Sequence, residues 1–303
     1  MSFRAVTSQS RAQPTIEGAG VHLHRVFGFG DTSASDPFLL LDDFRNDDPA
    51  AYARGFPWHP HRGIETITYV LDGTVEHSDS LGNRGLLGAG SVQWMTAGSG
   101  ILHQEMPRGS STGRMHGFQL WANLPSSLKM TAPRYQDITG GDIPEITDDD
   151  GTQVRIITGK FWGKRGPVDG IAAEPLYLDV TVPAGLRKTL PVDTRANAFA
   201  YVFAGAGDFR DAAAPVGVRV EKEFQGRELA VRDMSGNRTL VRFGGGDEVT
   251  VQAGPEGVRF LLVAGRPLKE PVAWHGPIVM NTRAELETAM RELRDGSFIK
   301  GTA

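Results

Sequence analysis

Residues 59–66 read HPHRGIET and residues 102–105 read LHQE, and most of what the sequence predicts depends on these two stretches. Alternate residues of a β-strand point to the same face of a sheet, so His59 can lie beside His61 and His103 beside Glu105. Three imidazoles and one carboxylate form a donor set that suits iron, manganese, nickel, copper or zinc, and not calcium or magnesium. The two pairs therefore predict a site for one metal ion.

A second carboxylate, that of Glu65, competes with Glu105 for the place of the oxygen ligand. It lies four residues after His61, so strand alternation puts it on the same face. Its other role would be an ion pair, for example with Arg62. The spacing leaves both carboxylates open. Four protein ligands would leave about two positions of an octahedral ion for water, O2 or substrate, which indicates chemistry or sensing and not a closed structural site.

The rest of the chain has the pattern of short strands. Its 38 Gly and 18 Pro favour many turns over long helices. An acidic segment with Pro and Gly at 142–151 is the best candidate for a linker. Thr282 and Glu285 fit a capping box and predict a helix over 282–295. We therefore expect an N-terminal metal-binding domain over 1–140 and a C-terminal domain over 151–303 that includes this helix.

The two halves of the chain share a pattern of turns and strands. YVLDG at 69–73 matches YVFAG at 201–205, and a Gly-to-Gly spacing of eight residues occurs at both 90–98 and 246–254. The match predicts a duplicated all-β unit. The positions of the second half that correspond to the candidate ligands are Pro191, Asp193, Asn197, Arg259 and Leu261. None of them repeats a His or a Glu, so the metal is expected in the N-terminal half alone.

The composition excludes several classes of function. With 32 Lys and Arg against 36 Asp and Glu, the net charge of −4 gives no electrostatic reason for binding nucleic acid or an anionic membrane. The absence of Cys excludes disulfides, thiolate metal sites and Cys nucleophiles. No segment has the apolar length of a signal peptide core or a membrane helix, so we expect a cytoplasmic protein.

Taken together, these motifs resemble the pirin family of the cupin superfamily. The central stretches are residues 59–66 and QWMTAGSGILHQE at 93–105. Four further segments support it: DPFLL at 36–40, HSDSLGN at 77–83, HGFQLW at 116–121 and HGPIVMNT at 275–282. The resemblance extends from about residue 20 to 295. It implies an all-β bicupin, with two tandem jelly-roll-like β-barrel domains and a short C-terminal helix.

The resemblance also implies a metal and its ligands. The N-terminal domain of pirins holds one mononuclear iron, which here would be Fe(II), with Mn, Ni, Cu or Zn as alternatives. The matching ligands are His59, His61, His103 and Glu105. The family pattern thus favours Glu105 over Glu65 as a ligand. Glu65 would then orient the ligands without contacting the metal.

Several bacterial pirins resemble quercetin 2,3-dioxygenases, so the resemblance implies cleavage of a flavonol-like substrate by O2 with release of carbon monoxide. Glu105 could accept the proton of the 3-hydroxyl, and simple ligation is its alternative role. Two further histidines, His77 and His116, could orient the ligands. Phe56 and Trp58 could line an aromatic pocket, with ordinary packing as the alternative.

Other functions remain open on the sequence. Some pirins are redox-responsive regulators that bind a transcription factor or a metabolic enzyme, and the bound iron would then be the sensor. No residue pattern marks a surface for such a protein partner. A metal-stabilised scaffold with incidental flavonol activity is a third hypothesis. Catalysis requires an open, apolar cavity over the metal, whereas regulation tolerates a closed site.

Overall fold

The computed structural model describes residues 2–30, 32–170, 172–210 and 234–300, and the backbone of two short strands between 223 and 228. Strands dominate the chain, as its turn-rich composition predicts. In the first half they are β1 (Val6–Arg11), β2 (Gln13–Glu17), β3 (Val21–Phe27), β4 (Phe38–Asp43), β5 (Phe56–His61), β6 (Ile64–Asp72), β7 (Thr74–Asp79), β8 (Arg84–Leu87), β9 (Val92–Thr96), β10 (Ile101–Arg108), β11 (His116–Asn123) and β12 (Arg134–Ile138).

The second half continues this architecture and adds an α-helix near its end. Its strands are β13 (Glu145–Thr147), β14 (Gln153–Thr158), β15 (Lys160–Phe161), β16 (Lys164–Arg165), β17 (Leu176–Val182), β18 (Arg187–Pro191), β19 (Asn197–Asp208), β20 (Glu223–Phe224), β21 (Arg227–Glu228), β22 (Ser235–Gly236), β23 (Thr239–Phe243), β24 (Glu248–Gly265), β25 (Ala273–His275) and β26 (Ile278–Met280). The helix is α1 (Arg283–Arg294), and short 3-10 turns occur at Pro49–Ala51, Ser126–Leu128 and Gly140–Asp142. Among the described residues, no helix is both long enough and apolar enough to cross a membrane.

The chain divides into two compact units that do not follow its order. Unit I contains Ala12–Pro144, Ile157–Pro175 and the chain from Gly265 onward. Unit II contains the chain up to Arg11, Glu145–Ile156 and Leu176–Ala264. The first change between units, after Pro144, lies within the segment 142–151. The residues up to Arg11 belong to unit II, and the residues from Gly265 onward belong to unit I.

Physical reasons for this exchange lie in strand pairing and in burial. Strand β1 pairs with β23 of unit II, from Val6 opposite Phe243 to Arg11 opposite Thr239. At the other end, Val279 of β26 is fully buried with Ile64 and Ile101 of unit I. The expected linker is also more structured than predicted. It contains β13, which pairs with β14, and Asp150 binds Lys188 at 2.7 Å.

The described part of unit I is built on two larger antiparallel sheets and two hairpins. The larger sheet has the strand order β12-β9-β6-β11-β4-β3-β2, and the smaller one has the order β5-β10-β7-β8. One hairpin is formed by β25 and β26 and the other by β15 and β16. In unit II the main sheet runs β1-β23-β19-β24-β17-β14-β13, with β18 paired to β24 and β22 to β19.

The matching sequence patterns of the two halves lie in strands, but these strands pair differently. In unit I, β6 pairs with β9, and Tyr69 stands opposite Val92. In unit II, Tyr201 of β19 stands opposite Leu240 of β23, and Val249 of β24 stands opposite Leu190 of β18. Both tyrosines are fully buried. Gly73 follows β6 in a turn and Gly205 lies within β19, and both are in the left-handed region, with φ of 84° and 62°.

Helix α1 begins and ends where the sequence predicts. The Thr282 hydroxyl accepts from the backbone N–H of Glu285, whose side chain accepts from the Thr282 N–H, so the capping box is complete. The apolar face of Leu286, Met290 and Leu293 packs on a cluster that includes Phe298. By its contacts, the helix belongs to unit I.

A tight turn at Gly63 follows the His-Pro-His segment. Its φ is +77°, and a Cβ atom built there would lie 1.9 Å from the carbonyl oxygen of Val279. Only glycine fits both the backbone angle and the contact. Strand β26 can therefore lie this close to the turn after β5 only because residue 63 is a glycine.

Replacing Gly63 by Ala should destabilise the fold far more than the same change at another left-handed glycine. Gly82 has φ +89°, and a methyl group added there would have nothing within 4 Å, so Gly82→Ala isolates the backbone cost of about 1 kcal/mol. We expect Gly63→Ala to cost at least about 3 kcal/mol, since a clash is added to that strain. Urea denaturation monitored by Trp fluorescence measures both. Equal losses would show that the contact with Val279 is unimportant.

Candidate metal centre and cavity

Strands β5 and β10 bring the predicted histidines together. They pair in antiparallel fashion, with His103 opposite His59 and Ile101 opposite His61. The register shifts between His103 and Glu105, where a bulge interrupts the ladder. Cross-strand neighbours share one face of a sheet, so the three imidazoles are directed to the same place.

The three imidazoles form a compact cluster. Their ligand nitrogens all lie within 4.8 Å of one another. The ring centroid of His59 is 4.8 Å from that of His61 and 4.4 Å from that of His103. In the described parts of the chain, no other group of three or more His, Asp or Glu side chains is arranged in this way. The structure therefore brings the three predicted histidines together.

Hydrogen bonds to backbone carbonyls determine which ring nitrogens face the centre of this cluster. The Nδ1 atom of His59 donates to the Pro57 oxygen at 2.8 Å, and that of His61 to the Pro277 oxygen at 3.2 Å. A carbonyl only accepts, so Nδ1 carries the proton in both rings and each Nε2 presents a lone pair. The two Nε2 atoms are 3.0 Å apart.

This arrangement fits a metal ion. Two lone pairs at that distance repel each other unless a cation lies between them. Two ligands at a right angle, each about 2.1 Å from one ion, are also about 3.0 Å apart. His103 gives independent support, because it is almost fully buried and neither of its ring nitrogens has a hydrogen-bond partner. A buried orphan nitrogen is costly unless something binds it.

The pKa values of the two buried imidazoles favour the binding of a metal. Burial lowers the pKa of His61 well below its usual value, and the neighbouring His59 adds to the effect. Burial likewise lowers the pKa of His103, with His61 as the next contributor. Both rings are neutral near pH 7, which is the form that binds metals.

Glu105 lies beside the cluster in a frame of two polar side chains. Its Oε2 is 4.0 Å from Nε2 of His103. The Thr68 hydroxyl lies 3.0 Å from Oε1, and the Gln119 amide donates to Oε2 at 3.1 Å. Burial raises the pKa of the Glu105 carboxyl. Thr68 and Gln119 stand opposite each other on β6 and β11, so the larger sheet supplies the frame for a carboxylate of the smaller one.

The rival carboxylate of Glu65 has a different environment. It lies on β6 opposite Thr96, whose hydroxyl donates to its Oε1 at 2.8 Å. Glu65 is absent from the lining of the cavity described below, whereas Glu105 is part of it. Strand parity from His61 does not extend to Glu65, because the turn at Gly63 moves the chain from the smaller sheet to the larger one.

A cavity of about 430 Å³ opens beside the cluster. This volume lies in the range of pockets that hold small organic ligands, about 300–1,000 Å³. His59, His61 and Glu105 form part of its wall. The remaining lining is largely apolar and aromatic, and it includes the predicted Phe56 and Trp58. Trp58 is 52% exposed, so about half of its surface is open to solvent.

The two further histidines lie outside this cavity. His77 is buried and stacks on Tyr135 with a centroid distance of 5.3 Å, and its Nε2 is 3.8 Å from Asp137. His116 lies at the start of β11, with its Nε2 2.5 Å from an Asp47 carboxylate oxygen. Neither ring belongs to the three-histidine cluster.

Several residues of the site were missed by the sequence analysis. Thr68 and Gln119 could have been suspected, because each is a polar residue between two buried apolar ones in a strand. Trp121 packs its indole edge-on to His61 at 5.1 Å and lies two residues after Gln119 on the same face. The contact of Pro277 with His61 could not be predicted, because no sequence pattern relates a backbone carbonyl to a side chain 216 residues away.

Comparison with known proteins agrees with this architecture. The pirin family model matches residues 20–122, and the model of the pirin C-terminal cupin domain matches residues 177–299. A pirin-like protein of Caulobacter vibrioides is 44% identical over 98% of this chain and 100% of its own length. A Pseudomonas aeruginosa protein with the provisional name quercetin 2,3-dioxygenase is 41% identical, over 97% of this chain and 98% of its own.

A solved structure gives the same result. The quercetin 2,3-dioxygenase of Acinetobacter baumannii superimposes with a TM-score of 0.83 at 30% identity. The match covers 98% of this chain and 99% of that one. The two-domain cupin architecture, the three-histidine cluster and the length of these matches lead to one assignment: the chain belongs to the pirin family.

Proposed function

We propose that this pirin is a metal-dependent dioxygenase of the quercetin 2,3-dioxygenase type, which opens the central ring of a flavonol with O2 and releases carbon monoxide. The observation that supports this most is the cavity, which joins the histidine cluster to aromatic walls. A purely regulatory metal would need no such space. The names of the Pseudomonas and Acinetobacter relatives point to the same chemistry.

We assign His59, His61, His103 and Glu105 as the metal ligands, with Fe(II) as the metal expected in the cell. Manganese, nickel, copper and zinc suit the same donors. When bound, the metal would supply a Lewis acid that holds the deprotonated 3-hydroxyl of the flavonol close to O2. The protein's own part is to bind the flat substrate, to keep water away and to receive the hydroxyl proton.

The hydrogen bonds around Glu105 allow its carboxylate to take up that proton. As a carboxylate it accepts from the Thr68 hydroxyl and from the Gln119 amide. Once protonated at Oε1, it donates to the Thr68 oxygen, and the Thr68 hydroxyl turns to the Gln119 oxygen 2.8 Å away. Both forms keep their hydrogen bonds, so the proton transfer needs no rearrangement of the frame. Glu105 would therefore serve as general base as well as ligand.

The aromatic walls orient the substrate. Phe56, Trp58 and Trp121 line the cavity around the histidines, and Phe29 lines it as well. Phe29 is 52% exposed and has a left-handed backbone with φ 51°. Such a backbone is strained for a bulky residue, which suggests that the position of the ring is selected for contact with a ligand.

Metal content tests the ligand assignment. We expect His59→Ala and His103→Ala to lose stoichiometric metal, and Glu105→Gln to bind it more weakly, because each change removes a donor. Glu65→Gln is the matched control and should keep one metal per chain, since Glu65 bonds Thr96 outside the cavity. Elemental analysis after reconstitution with Fe(II) measures this. The reverse order of the two Glu variants would refute the assignment.

Turnover tests the activity itself. We expect the Fe(II)-loaded protein to consume O2 and to release carbon monoxide with quercetin, and His61→Ala to do neither. Oxygen uptake and carbon monoxide release are measured together after anaerobic reconstitution. If metal is bound at one per chain and no turnover occurs with Fe, Mn, Ni or Cu, the dioxygenase proposal fails. A redox-responsive binding protein would then be the better hypothesis.

The frame of Glu105 gives a third test. Thr68→Val removes one hydroxyl at nearly constant shape, and we expect it to lower kcat for carbon monoxide release about tenfold or more, since the base loses its proton partner. Thr96→Val removes the equivalent hydroxyl from Glu65 and should leave kcat nearly unchanged. Steady-state kinetics with quercetin compares them. Equal kcat values for the two variants would argue against a role for Glu105 as base.

A further inference from the structure

A row of polar side chains crosses the inner face of the larger sheet of unit I. Thr68 on β6 stands opposite Gln119 on β11, and Gln119 stands opposite Asp42 on β4. Asp42 in turn stands opposite Arg25 on β3. Directly paired residues point to the same face, so all four side chains share one side of the sheet. The row therefore extends from Thr68 and Gln119, which bind Glu105, to the ion pair of Asp42 with Arg25.

The ion pair forms a second polar region in the cavity wall. Arg25 donates through Nε and Nη2 to the two carboxylate oxygens of Asp42, at 2.9 and 2.8 Å. Its Nη1 is 2.8 Å from a carboxylate oxygen of Glu17. All three residues line the same cavity as His59 and His61. Between Asp42 and Thr68 lie two strand spacings, a backbone distance of about 10 Å.

The charges of this region determine what it can bind. One guanidinium and two carboxylates give a net charge of −1. Each Asp42 oxygen accepts one bond from Arg25 and can accept another, because a carboxylate oxygen has two lone pairs. A ligand group that donates a hydrogen bond is therefore favoured, and a ligand carboxylate is repelled. The ring of Phe29 lies 4.9 Å from the Arg25 guanidinium and adds a flat apolar surface beside it.

We infer that Arg25 and Asp42, assisted by Glu17, form a specificity subsite that binds a neutral phenolic hydroxyl at the end of the substrate remote from the histidines. The substrate class is then a flat aromatic compound with hydroxyl groups on both ends, and not an aromatic acid. This inference rests on the proposed function, because the histidine cluster is taken to hold the first hydroxyl.

A pair of ligands isolates the remote hydroxyls. Quercetin contains them, and 3-hydroxyflavone lacks all hydroxyls except the one at position 3. We expect the metal-loaded wild type to bind quercetin at least about tenfold more tightly, the value of one hydrogen bond to a charged group. Asp42→Asn should abolish most of this preference while affinity for 3-hydroxyflavone changes little. Anaerobic titration calorimetry gives both dissociation constants without turnover.

Two further variants make the test independent of folding losses. Asp179→Asn breaks the equivalent bidentate pair of Asp179 and Arg259 in unit II and should leave the ligand preference intact. Glu17→Gln removes the half-exposed carboxylate that contacts Arg25 Nη1 but leaves both hydrogen bonds between Arg25 and Asp42 in place, and it should weaken the preference about threefold.

The outcomes separate this inference from the proposed function. If quercetin is preferred, and Asp42→Asn removes the preference although no carbon monoxide is ever released, the subsite stands and the dioxygenase proposal fails. If carbon monoxide is released but Asp42→Asn and Glu17→Gln keep the preference, the subsite is refuted. Absence of any preference in the wild type also overturns it.

Discussion

A buried lysine side chain, that of Lys129, holds the end of the strand that contains His59 and His61 in place. The Lys129 ammonium is almost fully buried and donates to the Gly63 oxygen at 2.8 Å, to the Val279 oxygen at 3.0 Å and to the Asn123 side chain. Burial lowers its pKa to about 7, yet its three carbonyl acceptors match the three N–H bonds of the charged form. This contact joins the turn after His61 to strand β26, and β26 follows directly on the carbonyl of Pro277 that fixes the tautomer of His61.

Arg62 makes further contacts between the turn after His61 and the last segment of unit I. Its guanidinium donates to Glu292 at 2.7 Å and to the Phe298 backbone oxygen at 2.8 Å, and it lies 4.2 Å from the Phe298 ring. Two buried cations thus flank the glycine of the HPHRG segment. These bonds fix the turn at the end of β5, and the pairing of β5 with β10 aligns the histidines.

The sequence was sufficient to predict the local parts of this site and insufficient for the parts made by distant segments. The alternation of His59 with His61 holds, because both lie in one strand. The same rule fails for Glu65, since the turn at Gly63 transfers it to another sheet. The ends of helix α1 were predicted from its cap, but its packing on Phe298 was not, because such a contact leaves no periodic signal. The row from Thr68 to Arg25 required the strand register, which depends on contacts between segments far apart in the chain.

The exchange of chain ends between the units has a consequence for synthesis. Residues 59–105, with all the candidate ligands, leave the ribosome long before Pro277 and Phe298, which hold His61 and Arg62 in position. A nascent chain that has reached the end of β24 therefore contains every donor for the metal but lacks the residues that orient them. Residues after β24 therefore complete the support of the site, because without them His61 lacks the Pro277 carbonyl and Arg62 lacks the Phe298 carbonyl.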